Sequence, residues 1–312
     1  MLLSVVVPCY NEEANVQPFF RAVTEALQAF ENDYELVFVN DGSADHTYEE
    51  LAALYEKNRS FMTVVSFSRN FGKEAALLAG LQAAKGDYVA IVDADLQQDP
   101  AYIPEMYAIL QNNPQYDSVA AYQDVRNESK TLSLFKDCFY KLINKLTEIS
   151  LFRSASDFRL LKRSMVDAIT ALPERSRFSK GIFSWVGFQT YYMPYTVKER
   201  NSGTSKWNFL KLTRYALDGI VCFSNKPLLI CLLSAAVCGL IAVGLFAAAV
   251  IGALLHRLNI ALLVILAFLF LLSAWNFLCL SVFSEYLSKI YTESKNRPVY
   301  VVKTLLEREE SN

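Results

Sequence analysis

The sequence predicts an α/β domain with a mostly parallel sheet, followed by a two-helix membrane hairpin and a short tail. Three observations lead there. Apolar, β-branched runs alternate with amphipathic helical patterns over residues 2–122. Polar clusters follow strand after strand, as they do where a parallel sheet gathers ligands at its carboxyl edge. Two uncharged stretches, 228–255 and 260–283, each exceed the ~20 residues that span a bilayer as a helix.

The first strand covers residues 2–7 and is closed by Pro8. Asn11-Glu12-Glu13 opens a helix with Val16, Phe19, Phe20, Val23 and Leu27 on one face. The second strand, 35–39, ends in Asn40-Asp41-Gly42-Ser43. Asp45 and Thr47 can cap the next helix, which carries Tyr48, Leu51, Leu54 and Tyr55 on one side. The third strand, 62–67, runs into Ser68-Arg69-Asn70, and the third helix covers 74–84. Lys85-Gly86-Asp87 turns the chain into a fourth strand, 88–92. A helix over 101–111 and a strand over 118–122 follow. Right-handed crossovers between such strands place all the polar clusters on one edge.

The fourth strand ends in Asp93-Ala94-Asp95. Side chains two residues apart on a strand share a face, so in extended backbone the carboxylates of Asp93 and Asp95 converge. Close carboxylates repel unless a cation lies between them. A hard divalent ion whose shell phosphate oxygens complete suits that pair. The alternative is a solvated turn with an Asp cap for the next helix.

Bulk properties narrow the partners. A net charge of −2 over 312 residues does not suit a nucleic-acid binder. Only two histidines occur, which argues against a His-based zinc site. Neither GxGxxG nor GxxxxGK[ST] is present, so a dinucleotide-binding Rossmann site or a P-loop is disfavoured. The six cysteines form no CxxC pair and read as reduced core or membrane thiols. No basic n-region precedes the first strand, so no cleavable signal is expected.

VVVPCYNEE, FVNDGSADHT, FSRNFGKEAA and DADLQQDP, in that order and spacing, resemble family 2 glycosyltransferases with the GT-A fold, a Rossmann-like mostly parallel sheet. More narrowly, the set is similar to polyprenyl-phosphate glycosyltransferases, the dolichyl-phosphate mannosyltransferase relatives. The resemblance covers about residues 2–210, and the hairpin fits a bacterial two-span branch. It implies inverting transfer of one sugar from a nucleotide-sugar, a UDP-hexose or UDP-N-acetylhexosamine, to undecaprenyl phosphate. It implies that Pro8, Tyr10, Glu12 and Asp41 hold the base and ribose. Asp93 and Asp95 would hold the diphosphate and a divalent cation, Mg2+ or Mn2+. Asp41 is suited to accept the imide N–H of uracil, or is a turn residue before Gly42. Arg69, Asn70 and Lys73 stand close to the diphosphate in this reading; Lys73 is otherwise an exposed first-turn residue.

Ser156-Asp157-Phe158-Arg159-Leu160 resembles the family's second acidic motif, whose Asp is usually assigned as the base. A phosphomonoester acceptor is already an anion, with a second pKa of about 6, and can attack without losing a proton. Asp157 is therefore expected to orient the acceptor or a cation; a structural salt bridge with Arg159 is the alternative. Arg126, Arg200 and Lys206 are candidate ligands of the acceptor phosphate, arginine for its planar fork. Arg126 joins Asp95 and Asp157 as the catalytic set. RNSGTSKW, 200–207, resembles the family's flexible loop before the membrane and is compatible with a mobile lid. Q-x-x-R-W, the motif of processive synthases, is absent, which argues for a single transfer. Another lipid acceptor, such as diacylglycerol, is the alternative; its hydroxyl must be deprotonated.

Residues 1–226 are thus the transferase domain, 227–284 the hairpin and 285–312 a tail. Basic amphipathic helices near 131–147 and 206–224 are expected to lie on the membrane surface. A short strand at 298–302 would dock on its own sheet or a neighbour's edge. Lys206, Lys211, Arg214 and Lys226 precede the spans, Lys289, Lys295, Arg297 and Lys303 follow, and Arg257 alone lies between. The positive-inside rule then puts both termini and the catalytic domain in the cytoplasm of a multi-pass cell-membrane protein. Relatives of this form imply a homotetramer.

Overall fold

The computed structural model describes residues 1–30, 32–123, 144–147, 149, 152, 155–196, 219–254 and 258–309. The chain runs β1 (Leu2–Cys9), α1 (Glu13–Leu27), β2 (Asp33–Asn40), α2 (Thr47–Lys57), β3 (Met62–Phe67), α3 (Lys73–Ala83) and β4 (Tyr88–Ile91). It continues through α4 (Tyr102–Asn112), β5 (Ser118–Gln123), β6 (Ala155–Lys162), α5 (Arg163–Thr170), α6 (Ser179–Trp185) and β7 (Thr190–Tyr195). The long helices α7 (Lys226–Leu254) and α8 (Leu258–Ser294) and the strand β8 (Val302–Leu306) complete it.

Strands order as β7-β5-β6-β4-β1-β2-β3-β8. β1 pairs in parallel with β2 and β4, β2 with β3, and β5 with β7; β6 and β8 run antiparallel to their neighbours. The period of two decides which core each residue enters. Val5, Val7, Leu36 and Phe38 pack with Phe19 of α1, Leu51 of α2 and Met106 of α4. Val6, Val37 and Val39 face the opposite way, onto Ala76 of α3, Met165 of α5 and Ile182 of α6. Because both faces are covered, the central strands are nearly all apolar.

The register builds the functional edge. Cys9 pairs with Asn40, and the Asp41 N–H donates to the Cys9 carbonyl at 2.9 Å. Val6 pairs with Ile91, which sets Asp93 next to Pro8. From β1 the chain moves outward through β2 and β3, then returns to β4 on the other side of β1. The gap between β1 and β4 is therefore a topological switch point. β6 lies antiparallel on β4, with Ile91 opposite Arg159, so its first residues, Ser156 and Asp157, reach the same edge.

Several expectations need correction. Asp93 and Asp95 do not converge by strand extension, because β4 stops at Ile91 and Ala94-Asp95 enter a turn. Leu96 completes that turn at φ 59°, a left-handed conformation that costs a leucine about 1–2 kcal/mol. The tail strand begins at Val302 rather than 298. Tyr300 is diverted from strand pairing: its ring stacks on Phe67 at 4.8 Å and its hydroxyl donates to Gln82 Oε1 at 2.6 Å. Of the two docking options, β8 takes its own sheet, antiparallel to β3. The strands β6 and β7 and the helices α5 and α6 had no counterpart in the sequence reading. The helix near 131–147 and the segment 206–224 lie outside the described residues apart from 144–147 and 219–224.

Both long helices contain stretches apolar and long enough to cross a membrane, Lys226–Gly252 and Val264–Ser294. Leu232, Leu240, Phe246 and Phe270 point outward, each more than two-thirds exposed, an apolar surface far beyond what water tolerates on a folded domain. Trp275 Nε1 donates to Ser234 Oγ at 2.8 Å across the pair. The far end of α8 touches the sheet domain: Glu293 Oε1 accepts the N–H groups of Arg175 and Ser176, each at 2.9 Å.

Candidate active site

A cleft of ≈ 280 Å³ opens at the switch point, lined from four sequence motifs. β1 and its loop contribute Pro8, Cys9, Tyr10 and Glu12; Asp41 follows β2 directly; the loop into α3 and that helix's first residue contribute Asn70, Gly72 and Lys73; and the turn after β4 contributes Asp93, Ala94 and Asp95. Most of the predicted donor-site residues thus share one cavity. Arg69 does not line it; its guanidinium lies 4.4 Å from the Phe71 ring centroid, over the ring face. Arg126, Arg200 and Lys206 lie outside the described residues.

Asp41 organises the wall. Phe71 N–H donates to its Oδ1 at 2.7 Å and Gly72 N–H to its Oδ2 at 3.0 Å. Gly72 sits at φ 99°, a backbone that glycine alone adopts cheaply. Burial raises the Asp41 carboxyl above its ordinary range, against the pull of those two amide bonds. A carboxylate has about four lone-pair sites, so Asp41 can still accept from a ligand.

Lys73 is the centre of charge. Its Nζ lies 2.7 Å from Asp93 Oδ1 and 2.9 Å from Asp157 Oδ2. Burial opposes its charge, but the carboxylates of Asp157 and Asp93 outweigh that and hold the ammonium above its ordinary range. Asp157 is pushed the other way. Burial alone would raise its carboxyl; Lys73, Lys180 and Arg159 together hold it well below the usual carboxylate range. Arg159 is brought down to about 10 by burial, with Asp157 opposing. Its guanidinium packs 3.8 Å from the Phe183 ring centroid, and its Nε has no hydrogen-bond partner among the described residues.

Three residues escaped the sequence reading. Gln98 is a clamp: its Oε1 accepts the Asp93 N–H at 2.9 Å, and its Nε2 donates to Asp93 Oδ2 at 3.0 Å and to Ser156 Oγ at 3.2 Å. Glu74, beside Lys73, accepts the Ser179 N–H at 2.8 Å and so fixes the start of α6. Lys180 follows directly and acts on Asp157. The only signal for Gln98 was its place in DLQQDP; for the other two there was none.

Glu12, Asp41, Asp93 and Asp95 are four carboxylates around one lysine in this cleft. Burial raises the Glu12 carboxyl; the Asn15 side chain opposes this, while Asp95 and Asp93 push it further up. This unbalanced negative charge, presented by oxygen donors, fits a hard divalent cation. Cys9 is no competitor, since burial and neighbouring carboxylates keep its thiol protonated. Among the described residues no three side chains form a complete metal site. Asp93 and Asp95 would supply part of a shell that phosphate oxygens and water complete, as is usual for Mg2+.

An open acidic cleft at a switch point suits an anionic donor that enters with its own cation. On an α/β sheet carrying two membrane-length helices, this is the design of a membrane-associated glycosyltransferase. The family model described as glycosyl transferase family 2 matches residues 4–170. The chain belongs to that family, and its sheet is of the GT-A type the motifs implied. It is 37% identical to CsbB of Bacillus subtilis (strain 168), assigned as a glycosyltransferase, covering 97% of this chain and 91% of that one. It is 38% identical to the bactoprenol glucosyl transferase of Shigella phage SfV, covering 97% and 98%. A mannosyltransferase structure from Pyrobaculum calidifontis, in complex with GDP-Man and Mn2+, is 19% identical with a TM-score of 0.49, covering 70% of this chain and 61% of that one.

Proposed function

We propose that the enzyme transfers one sugar, with inversion, from a nucleotide-sugar to a polyprenyl phosphate at the membrane surface. Undecaprenyl phosphate is the expected lipid, and a UDP-hexose or UDP-N-acetylhexosamine the expected donor. The observation that carries this is the meeting of four motifs in one acidic cleft, on a chain that ends in two membrane-length helices. Near-full-length likeness to a bactoprenol glucosyl transferase supports a lipid-phosphate acceptor.

An acceptor phosphate oxygen attacks the anomeric carbon. The bond from that carbon to the diphosphate breaks, and its electron pair leaves with the nucleoside diphosphate. Pro8, Tyr10, Glu12 and Asp41 bind the nucleoside, and Lys73, with Arg69 nearby, faces the diphosphate. A divalent cation held by Asp93 and Asp95 would offset charge on the departing group. Asp157 is a weak base, because three cations hold its carboxyl low; the phosphate dianion needs none. Its role is to position Lys73. Arg126, Arg200 and Lys206 take the acceptor phosphate.

Both termini and the catalytic domain face the cytoplasm in this reading, where nucleotide-sugars are made. Assembly as a homotetramer would use surfaces other than the β3 edge, which the chain's own β8 covers.

The test incubates membranes containing the protein with undecaprenyl phosphate, Mg2+ and labelled nucleotide-sugars one at a time. Chloroform-extractable label from one UDP-sugar is expected. Label confined to water-soluble product would reject the lipid acceptor.

A further inference from the structure

Lys73 stands where the two acidic motifs meet, and it occupies the carboxylate that a cation needs. Its Nζ lies within 2.7 and 2.9 Å of the two Asp93 oxygens and 2.9 Å from Asp157. Gln98 Nε2 adds a second donor, and a third contact, to the Asp93 carboxylate, at 3.0 Å on Oδ2. Both oxygens of Asp93 therefore already accept from the protein, and the ammonium lies against both. A divalent ion arriving alone must displace an ammonium and meet its charge at close range. A divalent ion arriving with a nucleotide brings phosphate oxygens, which give the same ammonium a new partner.

We propose that Lys73 is the donor site's own counter-ion, exchanging Asp93 for the nucleotide's phosphates when a divalent cation enters with them. The second anchor makes the exchange local: Asp157 keeps the ammonium in the cleft after Asp93 is given up. The cleft's charge changes little, because a divalent cation and a diphosphate enter as a nearly neutral pair. The lysine thereby couples cation binding to nucleotide binding, and the coupling is reciprocal by linkage. This rests on the reading of Asp93 as a cation ligand.

The experiment measures Mn2+ binding by electron paramagnetic resonance of free Mn2+, on the full chain in detergent, with and without UDP. Wild-type protein is expected to bind Mn2+ weakly alone and at least tenfold more tightly with UDP. Lys73→Met is expected to bind Mn2+ alone at least tenfold more tightly than wild type and to lose most of the UDP effect. Lys73→Arg, which keeps the charge, is expected to behave like wild type. Circular dichroism of the same samples checks folding, and Lys73→Gln replaces the Met variant if that one is unfolded. Unchanged or weaker Mn2+ binding in the charge-removed variant overturns the exchange while leaving the metal reading intact. Absence of Mn2+ binding in every sample, with UDP or without, overturns the metal reading and the exchange together.

Discussion

Asp157→Asn separates a positioning carboxylate from a base. Asp157 Oδ2 is 2.9 Å from Lys73 Nζ, with side-chain exposures of 20% and 44%. A unit-charge pair at about 4 Å is worth ~1 kcal/mol in water and ~4 kcal/mol at an effective dielectric of 20. Since the lysine side is nearly half open, the pair belongs in the lower part of that range, about 1–3 kcal/mol. Asparagine keeps an acceptor for the ammonium and loses the charge. At 1.36 kcal/mol per decade, kcat should fall by roughly 5- to 150-fold. The assay is lipid-linked product formation at saturating donor, from about pH 5 to 9. In wild type the rate should rise with pH through the acceptor phosphate's second pKa, near 6, and then level. Asp157 does not titrate in that window, because its carboxyl is held below the ordinary range. The variant should therefore keep the same profile at a lower height. A fall of about a thousandfold or more, within reach of lost general-base catalysis, would refute the reasoning. So would a variant rate that climbs steadily with pH as hydroxide takes over. Either result would also favour a hydroxyl acceptor such as diacylglycerol.

Three further outcomes are expected. Asp95→Asn, or chelation of wild-type protein with EDTA, should abolish transfer while the protein stays in the membrane fraction; added Mg2+ should rescue only the chelated sample. Gly80→Ala should destabilise the sheet domain by about 1–3 kcal/mol in chemical denaturation, because its Cβ would stand 2.2 Å from Val6 Cγ1. Arg308→Met should cost about 3 kcal/mol, the low end for a broken buried pair because the arginine itself is 20% exposed, since it removes the cation 3.3 Å from Glu35, which is only 1% exposed. Adding Glu35→Gln should recover much of that loss in the same melts.

Legibility in the sequence followed locality. β1 to β4 were readable because runs such as Val5-Val6-Val7 and Val37-Phe38-Val39 are apolar on both faces and closed by turn residues. The donor side of the cleft followed from them, since each motif ends a strand and parallel topology brings the ends together. β6 was not readable as a strand, because SDFRLLK carries Asp157 and Arg159 where buried strands carry aliphatics. Arg159 is tolerated there by the Phe183 ring face and the Ser156 carbonyl, both supplied by the fold. The pairing of Lys73 with Asp157 joins residues far apart in sequence through an antiparallel neighbour that no local pattern announces. The turn at Ala94-Asp95 stood only as the alternative to an extended pair, because a leucine at positive φ has no compositional signature.

The missed residues also tie the site to the end of the second membrane-length helix. Glu293 lies in the last turns of α8, beyond the uncharged stretch, and accepts from Arg175 and Ser176. Arg175 returns the contact, its Nε donating to the Arg297 carbonyl at 2.5 Å. A few residues on, Ser179 is bound by Glu74, and Glu74 is the neighbour of Lys73 in α3. The end of α8 is thus tied through one short segment to the helix that carries the central lysine. Tyr300 then fastens the chain after α8 to Phe67 and Gln82, on β3 and α3. An acceptor whose chain stays in the bilayer can present its phosphate only at a limited height. A cleft fixed at two points to the end of a membrane-length helix would meet that height without searching for it, which is the entropic advantage of prior orientation.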